Sequence, residues 1–171
     1  MIKILIADDH AIIRRGLCHI VAGEPDMDVV GEAENAQQTL DFISRHHFDV
    51  VVLDINMPGR SGLDVLKEIK QERPSLPILV LSVHPEEQYG VRVLKAGAAG
   101  YLNKESAPEQ LVKAIRKVYR GGKYVSESLA EKLVIELGSE GDQPPHESLS
   151  DREYEVMRLL ASGKAVGEIA G

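Results

Sequence analysis

Three short stretches of this chain are almost wholly apolar: Ile2–Ala7, residues 50–53 and residues 78–81. Runs of strand length without polar alternation leave no face for water. They suit strands covered on both sides, as in a parallel sheet held between layers of helices. Two weaker β-rich runs lie at 28–33 and 100–102. Between these runs the apolar residues fall at helical spacing. Ile12, Ile13, Leu17, Ile20 and Val21 make one face of a first helix. Leu40 and Ile43 anchor a second, with Asn35 as its N-cap. Ser61 caps a third, which turns Leu63, Leu66 and Ile69 inward and ends at Pro74. Pro85 opens a fourth, packed through Val91 and Leu94 and stopped at Gly97. Ser106 and Glu109 read as a capping box for a fifth, followed by Leu111, Ala114, Ile115 and Val118. Strand and helix in regular alternation predict a doubly wound α/β domain. In such sheets functional groups collect at the carboxyl ends of the strands, near the switch in strand order.

The pattern changes after Gly121-Gly122. Residues 126–137 predict one more short helix, and 138–148, with their glycines, prolines and polar residues, predict a linker. Ser150 to Glu153 form another capping box, leading into a helix with Val156, Leu159 and Leu160 on one face. A further helix starts near Ala165. The expected division is therefore an α/β domain over 1–122, a helix and linker over 123–148, and a small helical fragment over 149–171.

The net charge of −7 argues against a chain whose main surface grips duplex DNA, because phosphate neutralisation supplies most of that affinity. No apolar run is long enough to span a bilayer, and Asp8 and Asp9 follow the first strand too soon for a secretory signal. A cytoplasmic protein is expected. The single cysteine, Cys18, makes no internal disulfide and fits a helix interior as a small packed hydrophobe. His46 and His47 are adjacent, so on a helix they point in different directions and do not make a metal pair.

Polar residues mark the ends of four strands: Asp8 and Asp9 after the first, Asp54 after the third, Ser82 after the fourth and Lys104 after the fifth. If the sheet closes as predicted, they converge on one edge. Three carboxylates brought together repel one another unless a cation sits among them. A small hard dication with oxygen ligands, Mg2+, suits that role. A lysine and a hydroxyl opposite it suit a phosphoryl group, whose equatorial oxygens they would neutralise during transfer. A central carboxylate can serve as the nucleophile and become an acyl phosphate.

These residues resemble the receiver domain of two-component response regulators. The likeness runs through Ile4-Leu5-Ile6-Ala7-Asp8-Asp9-His10, Val52-Leu53-Asp54-Ile55-Asn56-Met57-Pro58-Gly59-Arg60-Ser61-Gly62, Leu81-Ser82 and Gly97-Ala98-Ala99-Gly100-Tyr101-Leu102-Asn103-Lys104. It implies a flavodoxin-like (CheY-like) five-stranded parallel sheet of order 2-1-3-4-5. It implies that Asp54 takes a phosphoryl group from a sensor histidine kinase, and that Asp8, Asp9, Asp54 and the backbone carbonyl of Asn56 hold Mg2+. Ser82 and Lys104 would contact the phosphoryl oxygens, with Tyr101 as the aromatic switch coupled to Ser82. Asn56 and His84 would tune the lifetime of the acyl phosphate. Dimerisation on phosphorylation is implied, with residues 107–120 as a candidate interface. The family often has proline after the lysine; here Glu105 follows, which leaves the isomer of that peptide open.

The last stretch resembles the start of the LuxR-type helix-turn-helix of the NarL/FixJ subgroup, through Leu149-Ser150-Asp151-Arg152-Glu153 and Gly163-Lys164-Ala165-Val166-Gly167-Glu168-Ile169-Ala170. That module reads the major groove with a later helix. Arg152, Arg158 and Lys164 are outnumbered by Asp151, Glu153, Glu155 and Glu168. Specific DNA binding is therefore expected to need the complete module. An Asp-x-Asp phosphohydrolase is disfavoured by His10 at the third position, and a nucleotide binder by the lack of a G-x-G-x-x-G or complete P-loop.

Overall fold

The strands form where the apolar runs lie, because a parallel ladder buried on both faces tolerates few polar side chains. A computed structural model describes residues 1–138; the linker from 139 onward and the helix-turn-helix fragment lie outside the described residues. β1 (Ile2–Ala7), β2 (Met27–Ala33), β3 (Val50–Asp54), β4 (Ile78–Ser82) and β5 (Gly100–Asn103) form one parallel sheet of order β2-β1-β3-β4-β5. Every residue of β3 and β4 is buried. β2, at an edge, mixes buried with exposed residues.

Among the described residues six helices accompany the strands: α1 (Ala11–Ala22), α2 (Ala36–Arg45), α3 (Gly62–Glu72), α4 (Glu86–Lys95), α5 (Ala107–Tyr119) and α6 (Glu127–Gly138). Leu17 and Val21 of α1 and Leu111, Ala114, Ile115 and Val118 of α5 close one core with Ile4, Ile6, Val50, Val52, Leu79 and Leu81 of the sheet. Two predicted caps form: Asn35 Oδ1 accepts from the Gln38 N–H at 2.9 Å, and Ser61 Oγ accepts from the Leu63 N–H at 3.2 Å. Gly62 is needed where α3 begins, since a Cβ there would lie 2.3 Å from Ile55 Cα. The compact unit Met1–Lys132 carries the whole sheet. Among the described residues no helix is long and apolar enough to cross a membrane.

Four local expectations change. Ile12 is 87% exposed, and the buried residue of the first turn of α1 is Arg14. On α2 Leu40 is half-buried while Thr39 is buried. On α4 the buried face is Tyr89, Gly90 and Val93, whereas Val91 and Leu94 are half-buried. Gly90 faces α6, and a Cβ there would lie 2.7 Å from Leu129 Cδ2. Finally, Ser106 and Glu109 form no capping box: Ser106 has right-handed helical backbone, and its hydroxyl donates to the Asn103 carbonyl at 3.1 Å. There is no cis peptide among the described residues, so Lys104–Glu105 is trans.

Candidate functional site

Parallel register carries the predicted polar residues to one edge. Ala7 pairs with Leu53, Asp54 with Leu81 and Ser82 with Asn103, so Asp8, Asp54, Ser82 and Lys104 all emerge at the carboxyl end. The Lys104 N–H also donates to the Ser82 carbonyl at 2.8 Å, which extends the β4–β5 ladder by one bond.

The centre is an ion-pair cluster. Lys104 Nζ stands 2.8 Å from Asp54 Oδ2 and 2.8 Å from Asp8 Oδ2. The first contact is an aligned hydrogen bond, the second an ion pair without that alignment. Asp8 and Asp54 are fully buried. Asp54 Oδ1 accepts from the Asn56 N–H at 2.8 Å, and Asp8 Oδ1 from the His10 N–H at 2.8 Å. Burial pushes the Asp54 carboxyl above its ordinary value; Lys104 and the Asn56 N–H pull it down, Asp8 adds to the rise, and the net direction is up. For Lys104, burial pulls downward, but hydrogen bonding and attraction from Asp54 and Asp8 outweigh it and leave the ammonium more basic than usual.

Ser82 reaches Asp54 through Asn56. Its hydroxyl donates to Asn56 Oδ1 at 3.2 Å and accepts from the His84 N–H at 3.0 Å. Tyr101 is buried, and its hydroxyl donates to the His84 carbonyl at 2.7 Å. The Asn103 amide reaches the same carbonyl at 3.4 Å, and the His84 ring rests against Tyr89 with centroids 4.9 Å apart. The β4–α4 loop is thus held from β5 and from α4 at once.

Two residues of the site were not singled out from the sequence. His10 Nδ1 lies 3.0 Å from Asp8 Oδ1, 3.1 Å from Asp9 Oδ1 and 3.9 Å from Asp54 Oδ2. Its position directly after Asp8-Asp9 was the available signal. The Arg14 Nη1–H donates to the Asp8 carbonyl at 2.7 Å; no sequence signal separates it from an ordinary exposed arginine.

One ligand atom each from Asp8, Asp9, His10 and Asp54 lie within 4.8 Å of one another. Asp9 Oδ1 is buried without a hydrogen bond. A buried carboxylate oxygen in that condition, beside two others, fits a hard dication such as Mg2+.

Residues 4–116 match the family described as the response regulator receiver domain. The chain is 36% identical over 171 residues to the response regulator UvrY of Escherichia coli, covering 99% of this chain and 78% of that protein. It is 39% identical over 176 residues to the oxygen regulatory protein NreC of Staphylococcus epidermidis, covering 98% and 81%. Among solved structures it resembles the isolated REC domain of RcsB from Salmonella enterica serovar Typhimurium in the presence of phosphomimetic BeF3-. There the TM-score is 0.69 at 30% identity, over 77% of this chain and 98% of that one.

Proposed function

We propose, for a chain that belongs to the response regulator receiver domain family, that Asp54 is the phosphoacceptor of a two-component switch. The observation that carries this reading is the single ammonium of Lys104 shared at 2.8 Å by Asp54 and Asp8, at the end of a parallel sheet. Asp54 is the buried carboxylate with the raised pKa, and Lys104 beside it holds its proton firmly.

The donor is a phosphohistidine on a sensor histidine kinase. A carboxylate oxygen of Asp54 forms the new P–O bond as the P–N bond breaks, and the electron pair leaves with the imidazole. Lys104 offsets the charge on one phosphoryl oxygen, and the Ser82 hydroxyl turns from Asn56 to another. Asp8, Asp9, Asp54 and the backbone carbonyl of Asn56 would hold Mg2+. Bound there, the ion supplies charge neutralisation for incoming phosphoryl oxygens. Asn56 and His84 flank the acyl phosphate and set access of water to it. The chain assists its own modification and hydrolysis rather than turning over a substrate.

Output runs through the β4–α4 loop. When Ser82 re-aims, it loosens its bonds to Asn56 and to the His84 N–H, and Tyr101, bonded to the His84 carbonyl of the same loop, is the aromatic switch that responds. The resulting change favours self-association through the face that includes 107–120. DNA is engaged through the complete C-terminal helix-turn-helix module, and the setting is cytoplasmic.

The test is chemical. Treatment with acetyl phosphate and Mg2+ should add a single base-labile phosphate, seen by mass spectrometry and abolished in Asp54→Asn. An undiminished adduct in that variant would end the assignment. Sedimentation with and without beryllofluoride should show association driven by the mimic.

A further inference from the structure

Asp8 leaves β1 at a point where the sheet can satisfy just half of its peptide. Its N–H donates to the Ala33 carbonyl of β2 at 3.0 Å. Its carbonyl lies one residue past the β1–β3 pairing, which ends at Ala7 and Leu53. Arg14, one turn into α1, fills that place: its Nη1 donates to the Asp8 carbonyl at 2.7 Å. The same guanidinium donates through Nε to Glu32 Oε2 at 3.0 Å and through Nη2 to Glu34 Oε1 at 2.9 Å. Arg14 is 8% exposed, and three partners at the ends of two strands fix its planar fork from separate directions.

We infer that Arg14 is a positioning residue for the Mg2+ site, acting through the backbone of Asp8. With both ends of its peptide tied, and Oδ1 tied to the His10 N–H, Asp8 keeps one oxygen, Oδ2, aimed at the Asp54–Lys104 pair. Glu32 and Glu34 lie at the end of β2 and just beyond it, and they hold the guanidinium in plane. The cluster is therefore aimed by a strand that contributes no carboxylate to it. Groups that orient metal ligands from behind commonly matter by about 10- to 100-fold in affinity. This inference rests on the reading of the cluster as a Mg2+ site.

The test uses the full chain, titrated with MgCl2 by calorimetry and by amide NMR shifts of residues 8–10. Arg14→Lys keeps the charge and most of the stem but loses the fork. It should weaken Mg2+ by about 10-fold. Val21→Ala on the same helix removes fully buried volume away from the turn, and it should lower the melting temperature while leaving Mg2+ affinity unchanged. Glu32→Ala with Glu34→Ala, on the exposed rim, should weaken Mg2+ in the same direction by a smaller factor. If Arg14→Lys binds Mg2+ like the parent, the positioning role is wrong though the site stands. If the parent itself gives no shift at residues 8–10 or 54–56, the reading of the site falls and this inference with it.

Discussion

Lys104 Nζ sits 2.8 Å from Asp54 Oδ2 with both side chains nearly shut from solvent, one at 5% and the other at 0% exposure. Fifty residues of chain separate them, and the sheet register supplies the proximity. Such a pair stabilises little against an apolar alternative, yet losing one member strands the other charge. That asymmetry decides what each substitution should do.

Asp54→Asn should stabilise the protein without divalent ions. Burial and Asp8 raise the Asp54 pKa, so the ionised carboxyl is the less comfortable form in the fold. The sign follows from linkage. A raised carboxyl pKa favours the folded state below 3.8, and the benefit is lost as pH rises through the folded value. At neutral pH the amide avoids that loss, while Lys104 keeps Asp8 as a partner. Urea denaturation should show a gain of about 1 kcal/mol, shrinking as acid protonates the parent. A loss of stability at neutral pH would contradict the argument.

Lys104→Met should do the opposite. It leaves Asp8 and Asp54 facing each other without a cation, at a cost of about 3 kcal/mol. The Lys104 pKa is raised, so its contribution is complete below 10.5 and fades only as pH climbs through the higher folded value. The gap between parent and variant should thus stay level through neutral pH and close in strong alkali. Added MgCl2 should recover more stability in the variant than in the parent. Denaturation midpoints across pH check both statements.

Much of this was legible beforehand, for a physical reason. Strand ends follow from apolar runs, and parallel register then brings Asp8, Asp54, Ser82 and Lys104 to one edge. Helix phase was less legible. Ile12 looks like a core residue and is exposed, while Arg14 looks like a surface residue and is buried. Its burial depends on Glu32 and Glu34, which lie at the end of β2 and just beyond it. The capping box at Ser106 failed because Asn103 captured the hydroxyl. Local pattern cannot foresee a competitor supplied by the preceding strand.

Tyr101→Phe isolates the coupling between β5 and the β4–α4 loop. The ring still fills its buried place, but the His84 carbonyl loses a donor at 2.7 Å. The Asn103 amide, at 3.4 Å from the same oxygen, is a poor replacement. A cost of about 1 kcal/mol is expected. If the loop relays modification, acetyl phosphate labelling should proceed at the parental rate while beryllofluoride-driven association weakens. Sedimentation beside a labelling time course separates the two; equal loss of both would place Tyr101 in the chemistry instead.

Gly90→Ala tests the contact between α4 and the start of α6. Alanine is the better helix former by about 1 kcal/mol. Yet its Cβ would meet Leu129 Cδ2 at 2.7 Å and Cδ1 at 2.8 Å, and Leu129 is 1% exposed. Overpacking of that kind costs about 1–3 kcal/mol. In the parent the two effects oppose, and a net loss of about 1 kcal/mol is expected. Leu129→Ala removes the obstructing methyls, so in that background the same substitution should gain about 1 kcal/mol. The sign change is the signature: a double-mutant cycle in urea should return a coupling of about 2 kcal/mol. Additive effects would mean that Gly90 does not pack against Leu129.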